Sequence, residues 1–254
     1  MTQKWPDVLW LVRHGESAGN VASAAAEASG AHAVNIPHRD CDVPLSPLGE
    51  RQAAALGRWL GSLAPGARPT VLLTSPYVRA RRTADLALAA AGLDRGGLVL
   101  LADERLRERE FGIFDRLTKA GAREKYPEQA EALTALGKFY HRPPGGESWC
   151  DVILRLRNVV DTVTREYRRE RVLVVAHSAV IFCFRYLLEN MTEEEVLRAD
   201  RDYDVANCGV TTYEYDPGIG KIGGPALRSF NFVAPLEEAG ETITAAPDVP
   251  VAPK

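Results

Sequence analysis

The sequence has little that would tie it to nucleic acid or to a membrane surface. Its 31 lysines and arginines are outnumbered by 34 aspartates and glutamates, so the formal net charge is −3. Nucleic acids and anionic lipid surfaces attract proteins with an excess of basic charge. We therefore expect neither as a partner, and an anionic ligand would have to be held by a local cluster of cations.

Cysteines are few, and long apolar runs are missing. The four cysteines are scattered without a Cys-x-x-Cys pair, which is not the pattern of a disulfide framework. Cys183 lies in an apolar run, where a buried free thiol is expected. No segment approaches the roughly 18 apolar residues of a membrane span, and the N-terminus shows no signal-type pattern. These absences favour a soluble protein of the cytoplasm.

The composition and rhythm of an α/β domain are present instead. Hydrophobic residues make up 46% of the 254 residues and charged residues 26%, which is enough for a sizeable core. Short apolar runs recur, each followed by a helical pattern, as expected for a mainly parallel sheet with helices on both faces. The candidate strands are Val8 to Val12, Thr70 to Thr74, Leu98 to Leu101, Val172 to Ala176 and Val210 to Tyr215.

Several of the predicted helices carry start signals. Ser46-Pro47 and Ser75-Pro76 each place a capping hydroxyl before a proline suited to the first helical turn. Ser148 and Asp151 resemble a capping box. That box opens a helix whose apolar residues recur at spacings of three and four.

Three segments depart from this rhythm. Residues 22–39 are rich in alanine and serine and then irregular, which indicates a short helix and a loop. Residues 112–146 form a long, charged helical stretch that we interpret as a cap inserted over a cleft. Residues 235–254 contain few candidates for the core, so we expect a mobile tail there and one domain over residues 1–234.

Reactive side chains follow four of the predicted strands. Arg13 and His14 end the first strand, and Arg79 follows the second. Glu108 lies shortly after the third strand, and His177 ends the fourth. Ligands of doubly wound sheets bind at the carboxyl ends of the strands. We therefore expect these groups to converge on one active site.

This set of groups suits phosphoryl transfer. Arg13 and Arg79 can offer planar, bidentate donors to phosphate oxygens. A neutral imidazole is nucleophilic near neutral pH, and a phosphohistidine divides one difficult displacement into two easier ones. A carboxyl group must then protonate the leaving oxygen and later deprotonate water. The scheme requires neither a metal nor an organic cofactor.

A set of six ordered motifs covers residues 8–215, most of the chain. The first reads Arg-His-Gly-Glu-Ser-Ala-Gly-Asn over residues 13–20. The others lie at residues 42–49, 75–80, 108–112, 146–148 and 176–177. In this order they resemble the motifs of the histidine phosphatase superfamily, whose best-known branch is the cofactor-dependent phosphoglycerate mutases.

The resemblance implies a role for each of the central residues. His14 would be the nucleophile that becomes phosphorylated. Arg13, Arg79 and His177 would form the phosphate pocket. Glu108 would be the general acid and base, with its neighbours Glu104 and Glu110 as alternatives.

Three further residues are candidates for binding phosphate or substrate. Asn20 would contact the transferred group, or it caps a helix. Arg109 either contacts the substrate or pairs with a carboxylate. Ser178 stands where the family usually has glycine, so its backbone N–H remains available while the local shape of the pocket can differ.

A second cluster allows a different interpretation. His32, His38, Asp40 and Asp42 could be metal ligands, although their spacing matches no known ligand pattern. The alternative is that this loop forms a rim of the active site. His141 either reaches from the cap into the cleft or lies in solvent.

The sequence leaves three functions to compare. The first is a metal-independent phosphatase acting on a small phosphorylated metabolite. The second is a phosphoglycerate mutase, but residues 36–40 replace the Gly-Trp segment of that branch, and its paired arginines are absent from residues 112–146. Both departures favour hydrolysis. The third, a catalytically silent phospho-ligand binding module, would have lost the nucleophile or the acid, and both are present. The substrate stays open, as does the formation of a homodimer.

Overall fold

A mixed six-stranded sheet forms the centre of the computed structural model, which describes residues 3–93 and 95–247. The strands are β1 (Val8–Arg13), β2 (Val71–Thr74), β3 (Val99–Ala102), β4 (Arg171–Ala176), β5 (Val210–Asp216) and β6 (Gly224–Phe232). Their order across the sheet is β3-β2-β4-β1-β5-β6. Strands β1 to β4 run parallel, whereas β5 is antiparallel to β1, and β6 to β5. The predicted α/β fold with a mainly parallel sheet is confirmed.

The helices connect these strands and cover both faces of the sheet. They are α1 (Ala18–Ser29), α2 (Pro47–Ser62), α3 (Val78–Ala91), α4 (Lys119–Lys125), α5 (Pro127–Tyr140), α6 (Trp149–Glu166), α7 (Ser178–Leu188), α8 (Glu193–Asp202) and α9 (Ala234–Glu238). Alternate residues of β1 point to opposite faces: Leu9 and Leu11 join the core beneath α6 and α7. Trp10 and Val12 join the core beneath α2 and α3. No helix of the described residues is long and apolar enough to cross a membrane.

All five predicted strands are present, each within one residue of the predicted ends. Strand β6 was not predicted, because its nine residues are mostly half-buried or exposed and lack a continuous apolar run. The expectation that every strand is covered on both faces is wrong for β3. This strand lies at the edge of the sheet, where Val99 and Leu101 are 46% and 47% exposed.

Two of the predicted helix starts are confirmed. The Ser46 side chain accepts a hydrogen bond from the Gly49 N–H, and Pro47 is the first residue of α2. Ser148 and Asp151 form the predicted capping box at the start of α6. Both motifs use local hydrogen bonds that depend on sequence spacing alone, which is why they could be identified beforehand.

The helix start predicted at Ser75-Pro76 is wrong by two residues. Helix α3 begins at Val78, and Tyr77 precedes it without a side-chain cap. The Ser75 hydroxyl is instead 2.8 Å from Nε2 of His177. The same hydroxyl accepts a hydrogen bond from the Tyr77 N–H at 3.3 Å, so it has one local and one distant partner but does not cap α3.

The cap over residues 112–146 consists of α4 and α5 with short connecting turns. It has a small apolar cluster of its own around Phe114 and Ala122. Gly121 lies so close to the loop after α1 that a Cβ atom on it would be 1.8 Å from the His32 carbonyl oxygen. Helix α5 is kinked at Gly137, which has a φ of 69° and a ψ of 161°.

Residues 235–247, the described part of the predicted tail, make more contacts with the core than their composition suggested. Leu236 on α9 is fully buried in the core of the α2–α3 face. Gln52 donates hydrogen bonds from Nε2 to the Thr242 carbonyl at 2.9 Å and to Thr244 Oγ1 at 3.0 Å. Residues 235–247 therefore pack on the domain. The rest of the predicted tail, residues 248–254, lies outside the described residues.

Candidate active site

His14 lies directly after β1 and is completely buried. Its backbone N–H donates to the Ala176 carbonyl of the neighbouring strand β4 at 3.0 Å. Its ring Nδ1 is 2.7 Å from the Gly15 carbonyl oxygen, and a carbonyl can only accept, so Nδ1 carries the proton. The lone pair of the neutral ring is then on Nε2, the atom that would attack phosphorus.

Close backbone packing shapes the loop that follows His14. A Cβ atom on Gly15 would lie 2.5 Å from the Gly49 carbonyl oxygen, and one on Gly49 would lie 1.9 Å from that of Glu16. Only glycine allows the start of α2 to approach the loop this closely. The Gly15 N–H donates to Thr83 Oγ1 at 3.0 Å, which ties the loop to α3 as well.

Arg79 directs its guanidinium at the imidazole of His14. Its Nε donates to His14 Nε2 at 3.2 Å, and the side chain is only 1% exposed. Its Nη1 lies 2.5 Å from the Asp40 carbonyl oxygen and 3.0 Å from Asp40 Oδ1. The Tyr77 ring lies 5.0 Å from the guanidinium. Arg79 is thus oriented from two sides and brings a cation to the predicted position of the phosphoryl oxygens.

The cluster considered as a metal site is divided among different contacts. Asp40 pairs with Arg79, Asp42 pairs with Arg39 at 2.6 Å, and His32 contacts Glu124 of the cap. Among residues 3–93 and 95–247, no group of three or more His, Cys, Asp or Glu side chains is arranged to hold a metal ion. Asp40 belongs to the rim of the site, which was the alternative interpretation.

His177 ends β4 and faces His14 from the neighbouring strand. The two imidazole rings are in edge-to-face contact with centroids 5.1 Å apart, and the centroid of the Tyr77 ring lies 5.2 Å from that of His177. His177 is fully buried, and helix α7 begins at the next residue, Ser178. The free N–H groups of that first helical turn favour an anion.

Arg13 and Asn20 bind the same carbonyl oxygen. Arg13 Nη2 donates to the Ala246 oxygen at 2.5 Å, and Asn20 Nδ2 donates to it at 2.9 Å. Arg13 Nη1 donates to the Val205 oxygen at 2.7 Å. Asn20 also caps α1 together with Ser17, which confirms one of the two roles considered for it; its contact to a transferred group stays a prediction. An anionic oxygen bound by these two donors would take the place of the Ala246 carbonyl.

Glu108 is the acidic residue of its segment that lines the cleft. Its side chain is buried, and Oε1 accepts a hydrogen bond from the Arg109 N–H at 2.8 Å. The two alternatives point elsewhere: Glu104 is exposed, and Glu110 accepts a hydrogen bond from the Tyr77 hydroxyl at 2.8 Å. Of the three candidate carboxyl groups, Glu108 is thus the one that lines the cleft, and its role as the proton donor stays a prediction.

Arg109 contacts backbone oxygens rather than a carboxylate. Its Nε donates to the Glu147 carbonyl at 2.7 Å, and its guanidinium lies 5.0 Å from the centre of the Phe111 ring. Burial lowers the pKa of Arg109 to about 10, so the side chain remains a cation at neutral pH. It lines the cleft beside Glu108.

His141 does not lie in solvent, which was one of its two interpretations. Its side chain is 3% exposed and stacks on Phe114, with ring centroids 6.1 Å apart. Neither ring nitrogen has a hydrogen-bond partner among the described residues. Burial and the nearby charge of Arg109 lower the pKa of His141, which favours a neutral ring.

A cleft of about 390 Å³ opens beside these residues. Of the candidate site residues, Arg13, Glu108, Arg109 and Ser178 line this cleft, whereas its described lining does not include His14, Arg79 or His177. Four aromatic residues also line it: Phe111, Trp149, Phe182 and Tyr203. The cleft is thus lined by both charged and aromatic residues, including residues of the cap and of α8.

Sequence reasoning missed several contacts of the site. Ser75 follows β2 directly, so the rule that strand ends carry the chemistry could have identified it. Asn207 donates from Nδ2 to the His14 carbonyl at 3.0 Å, but it lies in a loop and in no motif. Lys138 reaches the cleft only because α5 kinks at Gly137, and no local pattern indicates this.

Comparisons with known proteins agree with this geometry. The family model of the histidine phosphatase superfamily (branch 1) matches residues 9–224. The chain therefore belongs to this superfamily. A 2,3-bisphosphoglycerate-dependent phosphoglycerate mutase from Rhizobium meliloti (strain 1021) is 33% identical over 193 residues, which cover 75% of this chain and 83% of that protein.

Solved structures of phosphatases share the fold. The alpha-ribazole phosphatase from Shigella flexneri matches with a TM-score of 0.69 and 21% identity, over 89% of this chain and 96% of that one. A mycobacterial glucosyl-3-phosphoglycerate phosphatase matches with a TM-score of 0.65 and 25% identity, over 89% and 99% of the two chains. The superfamily thus includes both mutases and phosphatases among the relatives of this chain.

Proposed function

We propose that the protein is a metal-independent phosphatase that hydrolyses a small phosphorylated metabolite through a phosphohistidine on His14. The observation that carries this proposal is the orientation of the His14 imidazole. Its Nδ1 is bound to the Gly15 carbonyl, and its Nε2 faces the guanidinium of Arg79 at 3.2 Å. A neutral nucleophile and a cation for the phosphoryl oxygens therefore meet at one point.

The reaction proceeds in two displacements. His14 Nε2 attacks phosphorus while the bond from phosphorus to the ester oxygen breaks, and Glu108 donates its proton to the leaving oxygen. Water then attacks the phosphohistidine, the bond from phosphorus to Nε2 breaks, and Glu108 takes the proton of that water. Arg13, Arg79 and His177 stabilise the charge on the phosphoryl oxygens in both steps.

Three features favour hydrolysis over the phosphoryl transfer of a mutase. Residues 36–40 replace the Gly-Trp segment of the mutases, and the cap lacks their paired arginines. The cleft of about 390 Å³ also has an aromatic wall, which suits a leaving group larger and less polar than glycerate. A mutase remains the second candidate, because the curated relative with 33% identity carries that name.

A panel of phosphorylated metabolites that includes both phosphoglycerates tests the proposal. Free phosphate and isomerised product are measured separately, with and without a chelator. We expect phosphate release that the chelator leaves unchanged, and phosphohistidine that can be trapped in the wild type but not in His14→Ala. Isomerisation without net phosphate release would identify a mutase, loss of activity with chelator would contradict the metal-independent reaction, and no turnover at all would favour the silent binding module.

The cytoplasmic setting and the lack of a nucleic-acid or membrane partner are part of the same proposal. They derive from the charge balance and the composition of the chain.

A further inference from the structure

A second cavity of about 380 Å³ lies beside the catalytic cleft and beneath the cap. The two cavities share Lys119 and Lys138, which therefore stand at the boundary between them. Each volume lies within the range of about 300–1,000 Å³ that is typical of small-molecule sites. A phosphoryl group and a small alcohol would leave the second cavity empty.

The second cavity combines an apolar wall with cations of the cap and of α8. The apolar part of the wall is formed by Phe114, Ala122, Ala130, Leu133 and Leu197. The charged residues that line it are all basic: Lys119, Arg123, Lys138 and Arg201. The catalytic cleft differs, since Glu27, Glu108, Asp200 and Asp204 also line it. The positive charge of this lining therefore attracts an anionic group to the second cavity, and Asp200 is the carboxylate that contacts one of these cations, Lys138.

Three of these four cations have no carboxylate partner in the part of the chain that the structure describes. Within residues 3–93 and 95–247, no Asp or Glu side chain lies within ion-pair distance of Lys119, Arg123 or Arg201. The chain thus brings three uncompensated charges to the rim of an apolar cavity. A ligand with an apolar body and an anionic end complements both parts of this surface.

Lys138 connects the second cavity to the catalytic cleft. The positive φ of Gly137, which favours glycine, turns the chain so that the next residue is buried. The Lys138 ammonium contacts Asp200 and lies 5.0 Å from the centre of the Trp149 ring. Burial and nearby cations, Arg109 foremost among them, lower the pKa of Lys138 to about 7. An anion at this boundary would favour its charged form.

We propose that the second cavity binds an anionic group at the far end of the substrate's leaving group, an inference that rests on the proposed phosphatase function. The substrate class is then a phosphate monoester of an alcohol with an apolar body and a second, terminal anion. The ester lies in the catalytic cleft, the apolar body passes Lys138, and the terminal anion lies among Lys119, Arg123 and Arg201.

A pair of synthetic esters tests this specificity. The first is dodecanoate with a phosphate ester on its terminal carbon, and the second is its carboxyl methyl ester, in which a methyl group replaces the negative charge of the carboxylate. We expect the wild type to hydrolyse the acid with a kcat/KM roughly tenfold higher than the methyl ester. A small aryl phosphate, too short to reach the second cavity, reports the basal activity.

Two variants on α8 distinguish an effect of the cavity on substrate preference from a general effect of removing a positive charge. Arg201→Gln removes a lining cation from α8, and we expect the preference for the acid to fall by roughly three- to tenfold. Arg198→Gln removes the same charge from the same helix but outside the cavity, so the preference and the basal activity should stay at the wild-type level. Equal losses in the two variants would overturn the inference, as would equal hydrolysis of the acid and the methyl ester.

Calorimetric binding to His14→Ala distinguishes this inference from the proposed function. This variant lacks the nucleophile, so it should bind both esters without consuming them, and the acid more tightly. If the wild type hydrolyses no phosphate ester but the acid still binds more tightly than the methyl ester, the phosphatase proposal fails and the binding site stands. If hydrolysis occurs and binding shows no preference, the site fails and the phosphatase proposal stands.

Discussion

The catalytic floor (Arg13, His14, Arg79 and His177) and the cap (residues 112–146) are built in contrasting ways. Every side chain of the floor is 1% exposed or less. The floor residues lie on or directly after strands, or in the first turn of α3, and backbone or side-chain hydrogen bonds orient them. The cap places exposed cations around an apolar cavity and depends on a kink within α5.

This contrast explains how proteins that share one fold can be named for different activities, as the mutases and phosphatases among the relatives are. A rigid floor supports a phosphoryl-transfer chemistry that many substrates can share. In the proposed binding mode, the cap and α8 surround the leaving group, in a region where the sequence can change without disturbing the sheet. We therefore expect substitutions in the floor to alter turnover of all substrates, and substitutions in the cap to alter the choice among them.

The largest effect is expected at Glu108, which lies where the floor meets the cap. If Glu108 is the proton donor, as we propose, Glu108→Gln should lower kcat for an alkyl phosphate by about 10²–10⁴. An aryl phosphate has a better leaving group and should lose less. Steady-state kinetics on both esters measure the difference, and the exposed neighbour Glu104 provides the control as Glu104→Gln. Equal losses for the alkyl and aryl esters would contradict the role of Glu108 as the acid.

A pair of glycine substitutions tests whether floor and cap are separable. A Cβ atom would lie 1.9 Å from the Glu16 oxygen in Gly49→Ala and 1.8 Å from the His32 oxygen in Gly121→Ala. Each variant should lose about 1–3 kcal/mol of unfolding free energy through overpacking. Only Gly49→Ala should also lower kcat for an aryl phosphate, because it displaces the loop that carries His14.

Urea unfolding and aryl phosphate kinetics check this second prediction. Gly66→Ala is the control, since nothing lies within 4 Å of a Cβ atom at that position. If Gly121→Ala lowered kcat as strongly as Gly49→Ala, the proposed division between floor and cap would not hold.

The smallest effect concerns the pH dependence of stability beneath the cap. His141 has a lowered pKa in the folded protein, so the unfolded chain binds its proton more readily. Unfolding is then favoured as the pH falls, and the stabilisation is lost below the ordinary histidine pKa of about 6.5. The unfolding free energy of His141→Phe should therefore decline less steeply than that of the wild type between neutral and mildly acidic pH.

Urea unfolding across this pH range measures that slope. The exposed His38 supplies the control variant His38→Gln, which should keep the wild-type slope. Identical slopes for the wild type and His141→Phe would show that His141 protonates as easily in the folded protein as in the unfolded chain.

Local patterns in the sequence determined the sheet strands that carry the floor. Five strands, the caps of α2 and α6 and the position of His14 after β1 follow from apolar runs and short hydrogen-bonded motifs. The strand-end rule then predicted that Arg13, Arg79, Glu108 and His177 approach one site, since parallel strands present their carboxyl ends at one edge. The catalytic roles of these residues remain predictions.

Only the tertiary structure decided the surroundings of the site. Ser75 contacts His177 rather than capping α3. The carbonyl of Ala246, which lies in the predicted tail, accepts a hydrogen bond from Arg13. Lys138 enters the cleft because of one positive φ angle. Such contacts join residues far apart in the chain, and their energies depend on which surfaces the fold brings together. A periodic pattern in one segment does not show which other segment packs against it. The nucleophile could therefore be predicted from the sequence, whereas the space for its substrate could not.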